Sequence, residues 1–297
     1  MKEKIKTRNI ARIILSVLFA ISIFAAFVTG IVTFVFSNVD MMKKSVVTDK
    51  YIESLSSTVE SALEYECLSL SVDYDAIIPG VDKEILRELS EQYYENIGNA
   101  VLHNIKMKEI RYPSEQFLEP VRGFFAVYQQ ENAVTIPEGQ DAVVATELAN
   151  TVTGNICMLG QNITTRFSSF TSAVERALSA LRIVFFSTVV LSLVFAVWVF
   201  LTSSKNGAKR LFQFAAPLFI IASLVFAPSA AYFILDPMKN LAIGASPLRD
   251  AVTSYFNSAF GSVFISTIIF FIISSAALIC GIVFSIKGSS EEQTAER

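Results

Sequence analysis

The one histidine, His103, and the three cysteines, Cys67, Cys157 and Cys280, are the residues best suited to hold a metal or attack a substrate, and their spacing suits neither task. Metal sites draw on clusters of Cys, His and carboxylates, so a lone histidine at the edge of an apolar stripe is expected to be structural. Asp73-Tyr74-Asp75 opens like a calcium loop, but Ile77 stands where the next oxygen ligand belongs and Ile78 where the turn glycine belongs. No phosphate-cradling glycine loop and no nucleophile elbow is present. Asn162-Ile163-Thr164 fits the glycosylation triplet, which informs only in a eukaryotic source. No catalytic, cofactor-binding or metal-ligating residue is nominated, and the chain is not expected to be an enzyme. The cysteines leave one pairing to weigh. Cys67 and Cys157 fall in the same segment, where a bridge would close a loop of about 90 residues and contribute about 4 kcal/mol. Cys157 projects away from its own apolar stripe, which weighs against the bridge.

The elements around these residues are dominated by lipid-compatible segments. Hydrophobic residues make up 53% of the chain and charged ones 17%, with mean hydropathy +0.51; soluble domains carry about 25% charged residues. Long uncharged blocks lie within residues 13–36, 182–202, 211–235 and 260–286. The first would be about 36 Å long as a helix, enough for a tilted crossing. Barrel strands alternate over about ten residues and do not stay apolar, so these are expected to be four transmembrane helices. That excludes a wholly soluble enzyme, a secreted protein and a disordered chain. The blocks hold no acidic residue and no histidine, which removes the groups that usually carry intramembrane hydrolysis, proton transfer or gating charge. Gln213 is the strongly polar exception in the third block. Pro217 and Pro228 there read either as ordinary kinks or as breaks that open a substrate site. Ala26 with Gly30, and Ala277 with Gly281, have the small-xxx-small spacing of close helix packing.

Orientation follows from Lys and Arg. Lys2, Lys4, Lys6, Arg8 and Arg12 precede the first block, and Lys205, Lys209 and Arg210 lie in the short link 203–210. The positive-inside rule makes residues 1–12 and 203–210 cytoplasmic, and the tail 287–297 with them. Residues 37–181 and 236–259 are then outside. A cleavable signal peptide is the rival reading of the first block, but its apolar region would be about 7–15 residues, and an uncleaved anchor is expected. The expected location is the plasma membrane, multi-pass, with both termini cytoplasmic.

Residues 37–181 contain 21 acidic and 11 basic side chains. Nucleic acid is therefore not an expected partner, whereas a cationic peptide, a divalent cation or a basic protein patch is electrostatically permitted. The apolar spacing is helical throughout. Thr48 caps a stripe of Ile52, Leu55, Val59, Leu63 and Leu70; after the Pro79-Gly80-Val81-Asp82 turn the pattern repeats at Ile85, Leu86, Leu89, Tyr93, Ile97 and Ala100. A third helix from Ser114 is expected to be interrupted by Pro120 and Gly123. Val144, Leu148, Val152, Ile156 and Leu159 form a fourth stripe, and Phe167, Phe170, Val174, Leu178 and Leu181 a fifth. The expected fold class is all-α: four transmembrane helices with a small antiparallel helical bundle inserted between the first two. Residues 161–206 and 31–78 lack both glycine and proline, so each is expected to run as one rod between bundle and membrane.

With a basic start, one span, Asn38-Val39-Asp40, a helical outer domain with an Ile78-Pro79-Gly80 turn, and three terminal spans, the chain resembles an uncharacterised four-span membrane protein family of Gram-positive bacteria. That resemblance covers nearly the whole chain and implies no activity. The topology is also similar to permease subunits of the cell-division and macrolide-export ABC systems, although the link 203–210 is short for an ATPase to grip. Bacterial receptors likewise place helical bundles between two spans, but no HAMP-like or kinase module follows here. The function expected is non-enzymatic: an acidic outer domain that senses or scaffolds an extracytoplasmic protein or peptide, held in the lipid bilayer. The alternative is a permease-like subunit with a membrane-complex partner.

Overall fold

The computed structural model describes residues 2–160, 168–202, 207–240 and 242–295, and every regular element among them is helical. In chain order these are α1 (Lys2–Ile31), extended by a π-helical turn (Val32–Phe36), α2 (Val39–Val46), α3 (Asp49–Leu70), α4 (Tyr74–Ile77) with a 3-10 turn (Ile78–Gly80), α5 (Lys83–His103), α6 (Glu115–Asn132), α7 (Gln140–Ile156), α8 (Ser168–Thr202), α9 (Gly207–Leu235), a 3-10 turn (Pro237–Asn240) and α10 (Ser246–Ala295). They fold as two units. The spanning unit comprises Met1–Ser37, Ala177–Lys239 and Ala259–Arg297; the interposed unit comprises Asn38–Arg176 and Asn240–Ser258.

Four segments are long and apolar enough to cross a membrane: Ile13–Phe36, Ser168–Leu201, Gln213–Lys239 and Ser246–Val283. Beside Phe19, Val199, Ile221 and Val263, their buried positions hold many small and hydroxyl side chains. Ser22, Thr29, Ala215, Ala222, Ser229, Ala259, Thr267 and Ser274 are all buried. Each of these hydroxyls bonds a carbonyl of its own helix, as Thr29 does to Ala25 at 2.7 Å and Thr267 to Phe264 at 2.8 Å. Such side chains let helices approach closely where lipid supplies no hydrophobic drive. Gly30 belongs to the same pattern, since a Cβ there would lie 3.0 Å from the Phe185 ring. Contrary to the broken-helix reading, α9 continues through both Pro217 and Pro228. Each proline removes one backbone bond, a loss that membrane helices accommodate.

The interposed unit packs larger side chains. Thr48 Oγ1 accepts from Tyr51 N at 3.2 Å and starts α3 as expected, and Asp82 Oδ1 accepts from Glu84 N at 2.7 Å to start α5. Such caps are each worth about 1 kcal/mol. The expected stripes are buried at Ile52, Leu55, Val59 and Leu63, at Leu86, Tyr93, Ile97 and Ala100, and at Val144, Leu148, Val152 and Ile156. α7 packs on both α3 and α6, and α2 lies on α5, where a side chain at Gly98 would press on Val39 Cγ1 at 3.0 Å.

Several expectations are corrected. The stretch 31–78 is not one rod. It breaks after the π turn, where Asn38 Oδ1 caps α2 by accepting from Met41 N at 2.9 Å, again at the Thr48 cap, and at Ser71, whose φ of 54° ends α3. Side-chain caps stop a helix without glycine or proline. The second rod holds in its described part, since α8 is 35 residues in one helix, about 52 Å long; residues 161–167, with the Asn162-Ile163-Thr164 triplet and Phe167, and 203–206 lie outside the described residues. α6 runs through Pro120 and Gly123 uninterrupted. The carbonyl that Pro120 cannot bond is that of Gln116, which faces Gly80 of the 3-10 turn. Phe170 is exposed, and the buried residue beside it is Thr171. Residues 236–259 are mostly not loop, because α10 already starts at Ser246.

Gly80 has no room for a side chain. A Cβ would stand 2.6 Å from Phe117 Cδ1 and 2.8 Å from the Gln116 carbonyl, and Phe117 is fully buried. Gly80→Ala should destabilise the interposed unit by about 1–3 kcal/mol, read as a lowered melting temperature in detergent; an unchanged melt would contradict this packing.

Candidate functional site

The start of α10 folds into the interposed unit against the first half of α3. Ser246-Pro247 reads as a helix start, with proline tolerated in the first turn because its missing N–H has no intrahelical partner there. The helix then turns Asp250 and Ala251 inward, and Ala251 joins the core. Lys50 Nζ donates to Asp250 Oδ1 at 2.7 Å, and the hydroxyls of Ser54 and Ser246 lie 2.9 Å apart. The Asp250 side chain is 9% exposed while that of Lys50 is 76% exposed, so a buried carboxylate is answered by a cation reaching in from the surface. Sequence reasoning missed this contact. The available signal was the Ser246-Pro247 start followed by inward positions at helical spacing, ahead of the uncharged block.

Beside it lies a cluster of buried tyrosines. The Tyr51 and Tyr94 rings meet edge to face at 5.7 Å, and Tyr93 and Tyr94 do so at 5.5 Å. Tyr93 Oη accepts from Leu159 N at 2.9 Å, which ties α5 to the end of α7. Burial pushes all three hydroxyls above the ordinary tyrosine value of 10.0. Tyr112 makes a second polar tie that the sequence did not signal: its hydroxyl donates to the Gly80 carbonyl at 2.9 Å and accepts from Asp82 N at 2.8 Å, while its own N–H donates to Thr153 Oγ1 at 2.9 Å. At the far end of α5, Asn104 caps the helix with φ of 54°. Its Oδ1 accepts from Thr171 Oγ1 at 2.9 Å, which anchors the first turn of α8.

The cysteines stand apart. Cys157 lies close enough to Tyr51 and Tyr93 to act on their hydroxyls, whereas Cys67 sits sixteen residues along α3 from Tyr51, beside Asp73. That is about 24 Å of helix, and the two sulfurs are not bonded to each other. That separation does not fit the candidate disulfide, against which helical projection already weighs, since a bridge needs Cα atoms within about 7 Å. Burial pushes the Cys67 thiol up to about 11. Asp73 caps α4 by accepting from Asp75 N at 3.2 Å, and His103 falls in the last turn of α5. Lys2, Lys4, Lys6, Arg8 and Arg12 all lie in α1, and Lys209 and Arg210 open α9; Lys205 is outside the described residues.

Among the described residues no group of three His, Cys, Asp or Glu is placed to hold a metal. An open groove of about 310 Å³ in the spanning unit is lined by Ile23, Phe27, Phe185, Val189, Leu193 and Phe270 among others. Its only hydroxyl, on Ser192, is engaged by Ser22 Oγ at 3.0 Å and the Thr188 carbonyl at 2.7 Å. Comparison with protein families, curated proteins and solved structures finds no match to this chain.

Two outcomes follow. Asp250→Ala removes the partner of Lys50 and should cost about 1 kcal/mol, with hydrogen exchange rising at least several-fold in residues 246–255; unchanged protection there would refute the docking. The raised tyrosine and Cys67 values mean that the folded state holds protons the unfolded chain would release. Stability is then complete below about pH 9 and is lost as the pH climbs past 10. Melting temperatures measured between pH 7 and about pH 11 should show that fall, and a flat profile would overturn it.

Proposed function

We propose that this chain is a non-enzymatic integral membrane protein of the bacterial plasma membrane whose acidic helical unit lies outside the cell and senses or scaffolds an extracytoplasmic protein or peptide. The observation that carries the reading is the make-up of the interposed unit. Residues 38–176 and 240–258 are separated by two spans, yet they share one unit and one core. Both belong to the segments that the positive-inside rule assigns to a single side. The basic residues Lys2, Lys4, Lys6, Arg8, Arg12, Lys209 and Arg210 all lie outside that unit, which supports cytoplasmic termini. The excess of carboxylates over basic side chains in residues 37–181 suits a cationic partner better than an anionic one.

A second reading is a permease-like subunit of a membrane complex. It draws on the second span, of which only 6% is buried inside the chain. A helix so little covered by its own chain presents most of its surface to lipid or to another subunit. In that reading, replacing Lys205, Lys209 and Arg210 with Gln releases a cytoplasmic partner that the first reading does not require.

Single cysteines in a background lacking the native three test the sidedness. Glu138→Cys should react with a membrane-impermeant maleimide in intact cells, and Arg210→Cys only after permeabilisation. The reverse pattern would place the acidic unit in the cytoplasm and end the first reading.

A further inference from the structure

The apolar stripe of α6 is longer than the core it serves. Phe117 and Val121 are fully buried against the 3-10 turn and α7. The same stripe continues at i+3 and i+4 intervals to Phe124 and Tyr128, and there it leaves its cover. Phe124 and Phe125 are half-buried, Val127 is 55% and Tyr128 41% exposed, and Val134 in the loop beyond is 49% exposed. The Phe124 ring stacks on Tyr128 at 5.9 Å and touches Phe125 at the same separation. The end of the α6–α7 hairpin is thus an aromatic platform open on one side. Contiguous exposed apolar surface of this kind marks an interaction site.

Charge selects the occupant. From residue 123 to 165 there is no Lys or Arg, while Glu131, Glu138, Asp141 and Glu147 are all present. The nearest basic residue, Arg122, is already engaged by Asp141 at 2.7 Å and Glu119 at 3.5 Å. A second copy docked face to face would bring carboxylates against carboxylates, and an anionic lipid surface would be repelled in the same way. Resting on the outside placement argued above, we propose that the overhanging face of the α6–α7 hairpin docks a cationic amphipathic helix of an extracytoplasmic protein. The apolar side of that helix lies on Phe124, Val127 and Tyr128, and its basic flanks meet Glu131 and Glu138.

The test uses the full chain in phosphatidylcholine nanodiscs. The probe is a fluorescein-labelled model helix of about 18 residues, built from Leu on one face and Lys on the other. Fluorescence anisotropy should show saturable binding above that to empty nanodiscs. The paired change Val127→Ser with Tyr128→Ser should weaken it ~10-fold or more, and Glu131→Lys with Glu138→Lys should do the same at low salt. Tyr65→Ser with Leu68→Ser alters another exposed apolar pair, on α3 near Glu64 and Glu66, and should leave binding unchanged. Circular dichroism melts of each variant establish that it folds, and the charge-reversed pair, which removes no apolar contact, carries the test if the serine pair does not. Absence of saturable binding, equal affinity for a Leu–Glu helix, or equal loss in the α3 variant would overturn the proposal. Because binding is read on purified protein, such a failure leaves the sidedness reading standing, and that reading is decided in cells by maleimide labelling.

Discussion

A backbone amide taken out of water must find a partner, and a helix supplies it from within the same segment. That constraint underlies every regular element described here. It makes four apolar segments compatible with a membrane, and it allows α8 and α10 to begin in the interposed unit and continue into the spanning unit without a break. At the starts of α2, α3, α4 and α5 a side chain takes over orphaned N–H groups, from Asn38, Thr48, Asp73 and Asp82.

The two units answer different packing problems with different residues. In the interposed unit the fully buried side chains include Tyr51, Tyr93, Phe117, Leu55, Leu63 and Leu148, large groups whose removal from water drives folding. In the spanning unit the buried set is weighted to Ser, Thr and Ala, because lipid is as apolar as leucine and association there depends on close approach. Many large apolar groups of the spans instead point outward, as do Ile183, Phe186, Leu193 and Val197 on α8. One chain thus carries an inside-in and an inside-out distribution, and the change of pattern follows the division into units.

Much of this is legible in the sequence. Charge-free blocks mark the spans because a single Lys or Asp in hydrocarbon is so costly. Thr48 and Asp82 mark helix starts because their oxygens fit the first free N–H groups. The reading failed where a local rule met a tertiary contact. Pro120 and Gly123 ought to interrupt a helix, but α6 is held by burial of Phe117 and Val121 and continues past both. Phe170 ought to lie inward by hydrophobicity, yet Thr171 takes that position because Asn104 accepts its hydroxyl. Helical projection already weighs against a Cys67–Cys157 bridge, whereas redox context and loop length say nothing about which end of α3 each sulfur reaches.

What the amino-acid order determined by itself is local: which stretches are helical, which four are apolar enough for a bilayer, where caps interrupt them, and how carboxylates outnumber basic groups between the first two spans. These follow from neighbours within a turn or two, through backbone hydrogen bonding and transfer free energy. Only the tertiary structure decided that residues 240–258 join the interposed unit through Lys50 and Asp250, that Tyr112 links the 3-10 turn to α7, and that the α6 stripe outruns its cover. Those contacts join residues up to 200 positions apart, and no periodicity along a chain encodes which distant surface a helix will meet.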